Sequence, residues 1–100
     1  MARWYRDRGY EILDRNWRHG GRGEIDLVAR RGDVVVVCEV KARATDYFGH
    51  PSQAVGIDKQ RRLRALAVAW LAEHRPGGAT VRFDVAAVSG TRVEVFENAF

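Results

Sequence analysis

Apolar and polar positions alternate with a period of two along most of the chain and with the period of a helix in one long stretch. Thr80 to Val88 sets Val81, Phe83 and Val85 against Arg82, Asp84 and Ala86, which predicts a two-faced strand. Ser89-Gly90 makes a turn, and Arg92 to Phe96 is expected to pair back as a final strand. Between Lys59 and Arg75 the residues Leu63, Leu66, Ala67, Trp70, Leu71 and His74 recur at helical spacing. They predict an amphipathic helix with Asp58 as its N-cap, ended by Pro76-Gly77-Gly78. Tyr10 to Arg18 reads as a first strand with Tyr10, Ile12 and Leu13 facing inward. Ala2 to Arg8 reads as the last turns of a helix stopped by Gly9 as a left-handed cap. The stretch from Ala44 to Asp58, with Gly49, Pro51 and Gly56, is a long connection in which Ser52 caps a short turn.

The remaining segment, Gly23 to Arg43, holds two apolar runs with charges set inside them. Val35, Val37, Glu39 and Lys41 share one strand face and Val34, Val36, Cys38 and Val40 the other. A charge within a β-branched run is costly to bury unless it is paired or bound to a metal. The runs are separated by Arg31-Gly32-Asp33-Val34, which fits a two-residue hairpin because Gly supplies the positive φ of the primed turns. In that register Asp26 falls opposite Glu39 and Glu24 opposite Lys41. Cross-strand Cβ atoms lie roughly 4.5–5.5 Å apart, and two carboxylates that close repel unless a cation or a shared proton lies between them. A three-residue loop would put Asp26 and Glu39 on opposite faces.

The predicted order is therefore helix, three strands, helix, two strands (α-β-β-β-α-β-β). It describes an α/β fold with a mixed five-stranded sheet and helices packed on it: the first three strands antiparallel, then a parallel pair joined through the long helix. One hundred residues make a single domain, 1–100. No apolar run is long enough to cross a membrane and no signal peptide precedes the charged start, so a cytoplasmic protein is expected. The lone Cys38 fits a reducing compartment and reads as a small buried apolar residue.

The net charge of +4 adds a nucleic-acid partner to the readings without requiring one. Arg18, Arg22, Arg43, Lys59, Arg61, Arg62 and Arg64 are the candidates for phosphate contact. Four of these crowd the first half of the long helix, where cations oppose the helix dipole. The loop His19-Gly20-Gly21-Arg22-Gly23 is basic and glycine-rich but does not match a phosphate-cradling motif. Asp26, Glu39 and the backbone carbonyl of Val40 offer the oxygen ligands that Mg²⁺ or Mn²⁺ takes, with Lys41 beside them to orient a water or screen a phosphate. The plainer reading of the same cluster is a structural ion-pair ladder. Asp84 reads as a strand-edge residue paired with an arginine, and the histidines have no zinc-like spacing. Trp4, Trp17 and Trp70 read as core residues rather than base-stacking platforms.

The pattern Asp26…Glu39-x-Lys41 resembles the PD-(D/E)xK nucleases. The fuller series RGY, RN, GEIDLVA, EVKAR, FG, QAV, Lys59, RFDV and AF is similar to a YraN-type uncharacterised bacterial family related to archaeal Holliday-junction resolvases. The resemblance covers essentially the whole chain. It implies a restriction-endonuclease-like core in which Asp26 and Glu39 hold Mg²⁺ or Mn²⁺ and Lys41 assists. Gln53 falls where relatives carry a polar residue after the lysine strand. The implied activity is hydrolysis of DNA phosphodiesters, with branched or junction DNA among the substrates. Nucleases of this kind usually carry an acid on the first helix, whereas the charged positions there are Arg3, Arg6, Asp7 and Arg8. The alternatives are a DNA-binding module of the same fold without catalysis, and a homodimer or adaptor that docks through exposed Phe96 and Phe100.

Overall fold

The computed structural model describes residues 1–42 and 55–100, so Arg43, Gln53 and the Ser52 turn lie outside the described residues. The elements are α1 (Ala2–Arg6), β1 (Glu11–Arg18), a 3₁₀ turn (Gly20–Arg22), β2 (Glu24–Arg31), β3 (Val34–Ala42), α2 (Ile57–His74), β4 (Thr80–Ser89) and β5 (Arg92–Phe96). The sheet runs β1-β2-β3-β4-β5 in space, with β3 and β4 parallel and the other neighbours antiparallel. This is the expected mixed α/β sheet in the expected element order.

Each sheet face buries its own layer. Val28, Val35, Val37, Phe83 and Val85 meet Leu63, Leu66, Ala67 and Trp70 of α2. On the opposite face Leu27, Ala29, Val36, Cys38 and Ala86 meet Tyr5 and Tyr10. β3 is covered on both sides, which is why its valines run without interruption. Burial pushes the Cys38 thiol up to about 12, so it behaves as the small apolar residue its position suggests. The β1–β2 register shifts between Ile12 and Asp14, and because both sheet faces are covered, ordinary alternation lets neighbouring residues both pack inward. Ile12 packs on the Tyr5 layer and Leu13 on the α2 layer.

Three details depart from the sequence pattern. Gly56, not Asp58, is the N-cap of α2, and Asp58 is an acid within its first turn, where it still complements the dipole. Phe96 and Phe100 are half-buried against the α2-side core, with Phe100 stacked 5.2 Å from Phe83, so they do not form an exposed docking pair. Asp84 is not at a sheet edge. It is fully buried on the Tyr5 face, away from the Glu39 face, because alternation along β4 sends it opposite to Val85.

Asp84 is the polar centre of that second layer. It accepts hydrogen bonds from Tyr5 Oη (2.7 Å), Arg82 Nε (2.9 Å) and the backbone N–H of Asn98 (3.0 Å). Arg82 also reaches Tyr10 Oη at 3.0 Å and Glu97 at 3.1 Å. One carboxylate thereby ties α1, β4 and the residues after β5 together. Burial, with Cys38 and Asp84 adding to it, lifts the Tyr5 hydroxyl far above its ordinary range and keeps it a donor. The tryptophans are structural: Trp70 is buried and donates to Asp14 at 3.0 Å, while His74 stacks on it at 4.1 Å. Removing one partner of a buried ion pair costs about 3–5 kcal/mol, so Asp84→Ala should lose that much in urea unfolding. Tyr5→Phe removes one hydrogen bond and should lose about 1 kcal/mol. Similar losses for the two variants would mean that Asp84 is not the hub.

Candidate functional site

The β2–β3 ladder pairs Arg31 with Val34 and continues to Leu27 opposite Cys38, with Gly32 at φ 62 in the two-residue turn. The next rung is Asp26 opposite Glu39, and there the backbone pairing stops. Continued antiparallel pairing would send the Val40 N–H to the Ile25 carbonyl. It donates instead to Asp26 Oδ2 at 2.8 Å, so a side-chain carboxylate replaces the partner strand. Face alternation along β2 breaks at the same place: Leu27 belongs to the Tyr5 layer, but Ile25 packs in the α2 layer beside Val28. Across the other edge, Asn16 takes φ 49 between the pairs Arg15–Leu27 and Trp17–Ile25. The chain therefore forks at Asp26.

The fork brings the carboxyls of Asp26 and Glu39 close enough for each to act on the other. Glu39 is 4 % exposed, and its Oε2 meets the ammonium of Lys59 from the first turn of α2. That oxygen is fully buried, and its charge is met by the Lys59 ammonium. Burial raises the Glu39 carboxyl above its ordinary range and the Asp26 carboxyl raises it further, while Lys59 pulls the other way. A buried carboxylate needs a cation beside it, and here Lys59 supplies that charge.

Lys41 is half-buried on β3, two residues beyond Glu39 and on the same face by alternation. It lies beside Ala87 of β4 and makes no ion pair among the described residues. Val40 is half-buried on the same strand, with its N–H already committed to Asp26. No three His, Cys, Asp or Glu side chains converge among the described residues. The available set is two carboxylates and a neighbouring carbonyl, which suits a hard ion that keeps part of its water shell.

The fork also changes the expected partner of Glu24. It pairs with Arg18 at 3.1 Å rather than with Lys41, because the strands have separated before that rung. Of the other basic residues, Lys59 is drawn into the carboxylate pair, and Arg64 lies over the Phe83 ring at 4.9 Å. Arg61 is exposed on α2. Arg22 and Arg62 line one cavity with His19 along the flank of α2. The contact between Lys59 and Glu39 was not legible from spacing, since nothing in the sequence fixes how α2 is phased against β3.

Residues 1–88 match the family described as Uncharacterised protein family UPF0102. A UPF0102 protein of Beutenbergia cavernae is 51% identical over 91 residues, covering 91% of this chain and 76% of that protein. One from Streptomyces coelicolor is 54% identical over 83 residues, covering 80% of this chain and 62% of its own length. One from Syntrophus aciditrophicus is 43% identical over 103 residues, covering 99% of this chain and 80% of that protein. The chain belongs to the UPF0102 family.

The raised Glu39 carboxyl has a consequence for stability. A folded-state value above the ordinary 4.5 means that the native protein holds this proton more tightly than the unfolded chain. The contribution of Glu39 is therefore fully present below the unfolded value and declines as pH rises through the folded one. In EDTA, urea unfolding of the protein and of Glu39→Gln as a function of pH should show this decline in the former and its absence in the latter. A Glu39-specific gain in stability over the same rise in pH would contradict the assignment.

Proposed function

We propose that this UPF0102 chain is a Mg²⁺- or Mn²⁺-dependent nuclease-like domain that hydrolyses DNA phosphodiesters, with branched or junction DNA as the favoured substrate class. The observation that carries the reading is the pair of carboxyls, Asp26 and the buried Glu39, brought together at a strand fork, with Lys41 following on the same face. Such a pair fits a divalent cation better than it fits a sheet that has only to be stable. Asp26 and Glu39 would hold the ion together with the carbonyl of Val40. When bound, it supplies a more acidic water and stabilises charge on a phosphoryl oxygen.

The chain's own residues do the rest. Asp26 is fixed by the Val40 N–H, which orients one carboxylate oxygen and leaves the other available. Lys59 neutralises Glu39 before a cation arrives. Lys41 orients the attacking water or screens charge that develops on the phosphate. The basic surface, with a net charge of +4 over the chain, positions the DNA backbone without reading sequence. The proposed setting is the cytoplasm, where a single buried thiol remains reduced.

A second reading is favoured by one contact. Because Lys59 already pairs with Glu39, the cluster can be a structural ion pair in a DNA-binding module without turnover. Asp26→Asn separates the two. Its amide oxygen can still accept the Val40 N–H, so the fold should survive while metal-dependent cleavage of branched and linear DNA is lost. Lys41→Ala should slow cleavage about 10²–10³-fold, the usual cost of removing one group that stabilises developing charge. Cleavage that persists in Asp26→Asn with unchanged metal dependence would rule out the assignment.

A further inference from the structure

A cavity of about 260 Å³ lies between the 3₁₀ turn and the flank of α2, apart from the carboxylate pair. His19, Arg22 and Arg62 line its rim, and Ala65, Leu66 and Ala69 form its floor. We propose that it is a subsite for one phosphate–sugar unit of a bound DNA strand, with Arg22 and Arg62 on the phosphate and the apolar floor against the sugar. The inference rests on the DNA reading above but not on catalysis.

The shape of the cavity comes from small residues. Ala65 and Ala69 are one turn apart on α2, and a larger side chain at either would fill the space. The 3₁₀ turn closes one side because Gly23, at φ 128, packs directly on the helix. A Cβ there would lie 3.3 Å from both Arg62 Cδ and Leu66 Cδ1. The stem of Arg62 is therefore seated before any ligand arrives, which lowers the ordering cost of using its guanidinium. His19 is likewise held, stacked on Trp17 with ring centroids 5.3 Å apart.

The charge is available. Neither Arg22 nor Arg62 has an ion-pair partner among the described residues, and both are exposed. The nearest acid along the chain, Glu24, is already paired with Arg18. The cavity is smaller than the 300–1,000 Å³ or so of pockets that enclose a free small molecule. It suits one unit of a polymer whose remaining contacts lie elsewhere. Arg62 follows Lys59 by three residues on α2, and residues so spaced are neighbours on a helix surface. A strand seated here would thus run about one helical turn from the lysine that contacts Glu39.

The test is binding of fluorescein-labelled duplex and single-stranded DNA in EDTA, measured by anisotropy across a salt series. Each lost phosphate contact lowers the slope of log affinity against log salt by about 0.7–0.9. The Arg22→Ala/Arg62→Ala double variant should lose about one such contact and bind several-fold more weakly, while Arg3→Ala should match the parent. Ala69→Leu fills the floor without changing charge, and it should weaken binding while leaving the slope nearly unaltered. Ala65→Leu provides the same test at an exposed position if Ala69→Leu does not fold. Unchanged affinity and slope in the arginine double variant would overturn the subsite, as would DNA binding that is absent from the parent protein. Undiminished binding by both leucine variants would overturn the cavity and leave only surface charge. Because no metal is present, a subsite that passes beside a protein that never cleaves DNA would count against the nuclease reading alone.

Discussion

Asp26 accepts the Val40 N–H that an uninterrupted ladder would direct to Ile25, and β2 and β3 separate from that rung onward. The separation is what places two carboxyls side by side at the end of a hydrophobic sheet. Had the ladder continued, Asp26 would be one more cross-strand residue, with its charge aimed at a like charge and no backbone donor to hold it. By giving up one backbone pair the chain obtains an oriented carboxylate next to a buried one. The cost is modest, because the Val40 donor remains satisfied.

The rest of the molecule keeps that fork in place. β3 is wedged between β2 and β4 and covered on both faces, so Glu39 is presented from the most constrained strand of the sheet. α2 packs Leu63, Leu66 and Trp70 on one face and thereby delivers Lys59 to Glu39. On the other face, the Asp84 cluster secures α1 and the C-terminal residues against β4. Two buried carboxylates thus have opposite fates. Asp84 is surrounded by donors, whereas buried Glu39 meets one ammonium, that of Lys59, and a second carboxyl, that of Asp26.

Much of this was legible in the sequence because it follows from local rules. The Gly32-Asp33 turn determined the register, and the register placed Asp26 opposite Glu39. The apolar stripe of α2 announced Leu63, Leu66, Ala67 and Trp70 as core. What could not be read depends on contacts remote in sequence. The fork itself is a competition between a side chain and a backbone for one N–H, and neither propensity nor periodicity records its outcome. That is why Glu24 was expected beside Lys41 and is found with Arg18. Asp84 looked like an edge residue because alternation gives its face but not the position of its strand, which is interior. The seating of Arg62 on Gly23 likewise needs the packing of a turn on a helix distant in the chain.

The proposed cation site between Asp26 and Glu39 is tested most directly by thermal unfolding of the protein and of Asp26→Asn, each in EDTA and in excess Mn²⁺. A ligand that binds only the native state at 100 times its dissociation constant stabilises it by about 2.7 kcal/mol. The parent protein should show a clear rise in Tm with Mn²⁺, and Asp26→Asn should show little or none. Equal shifts for the two proteins, or no shift in the parent, would contradict a cation site at the fork.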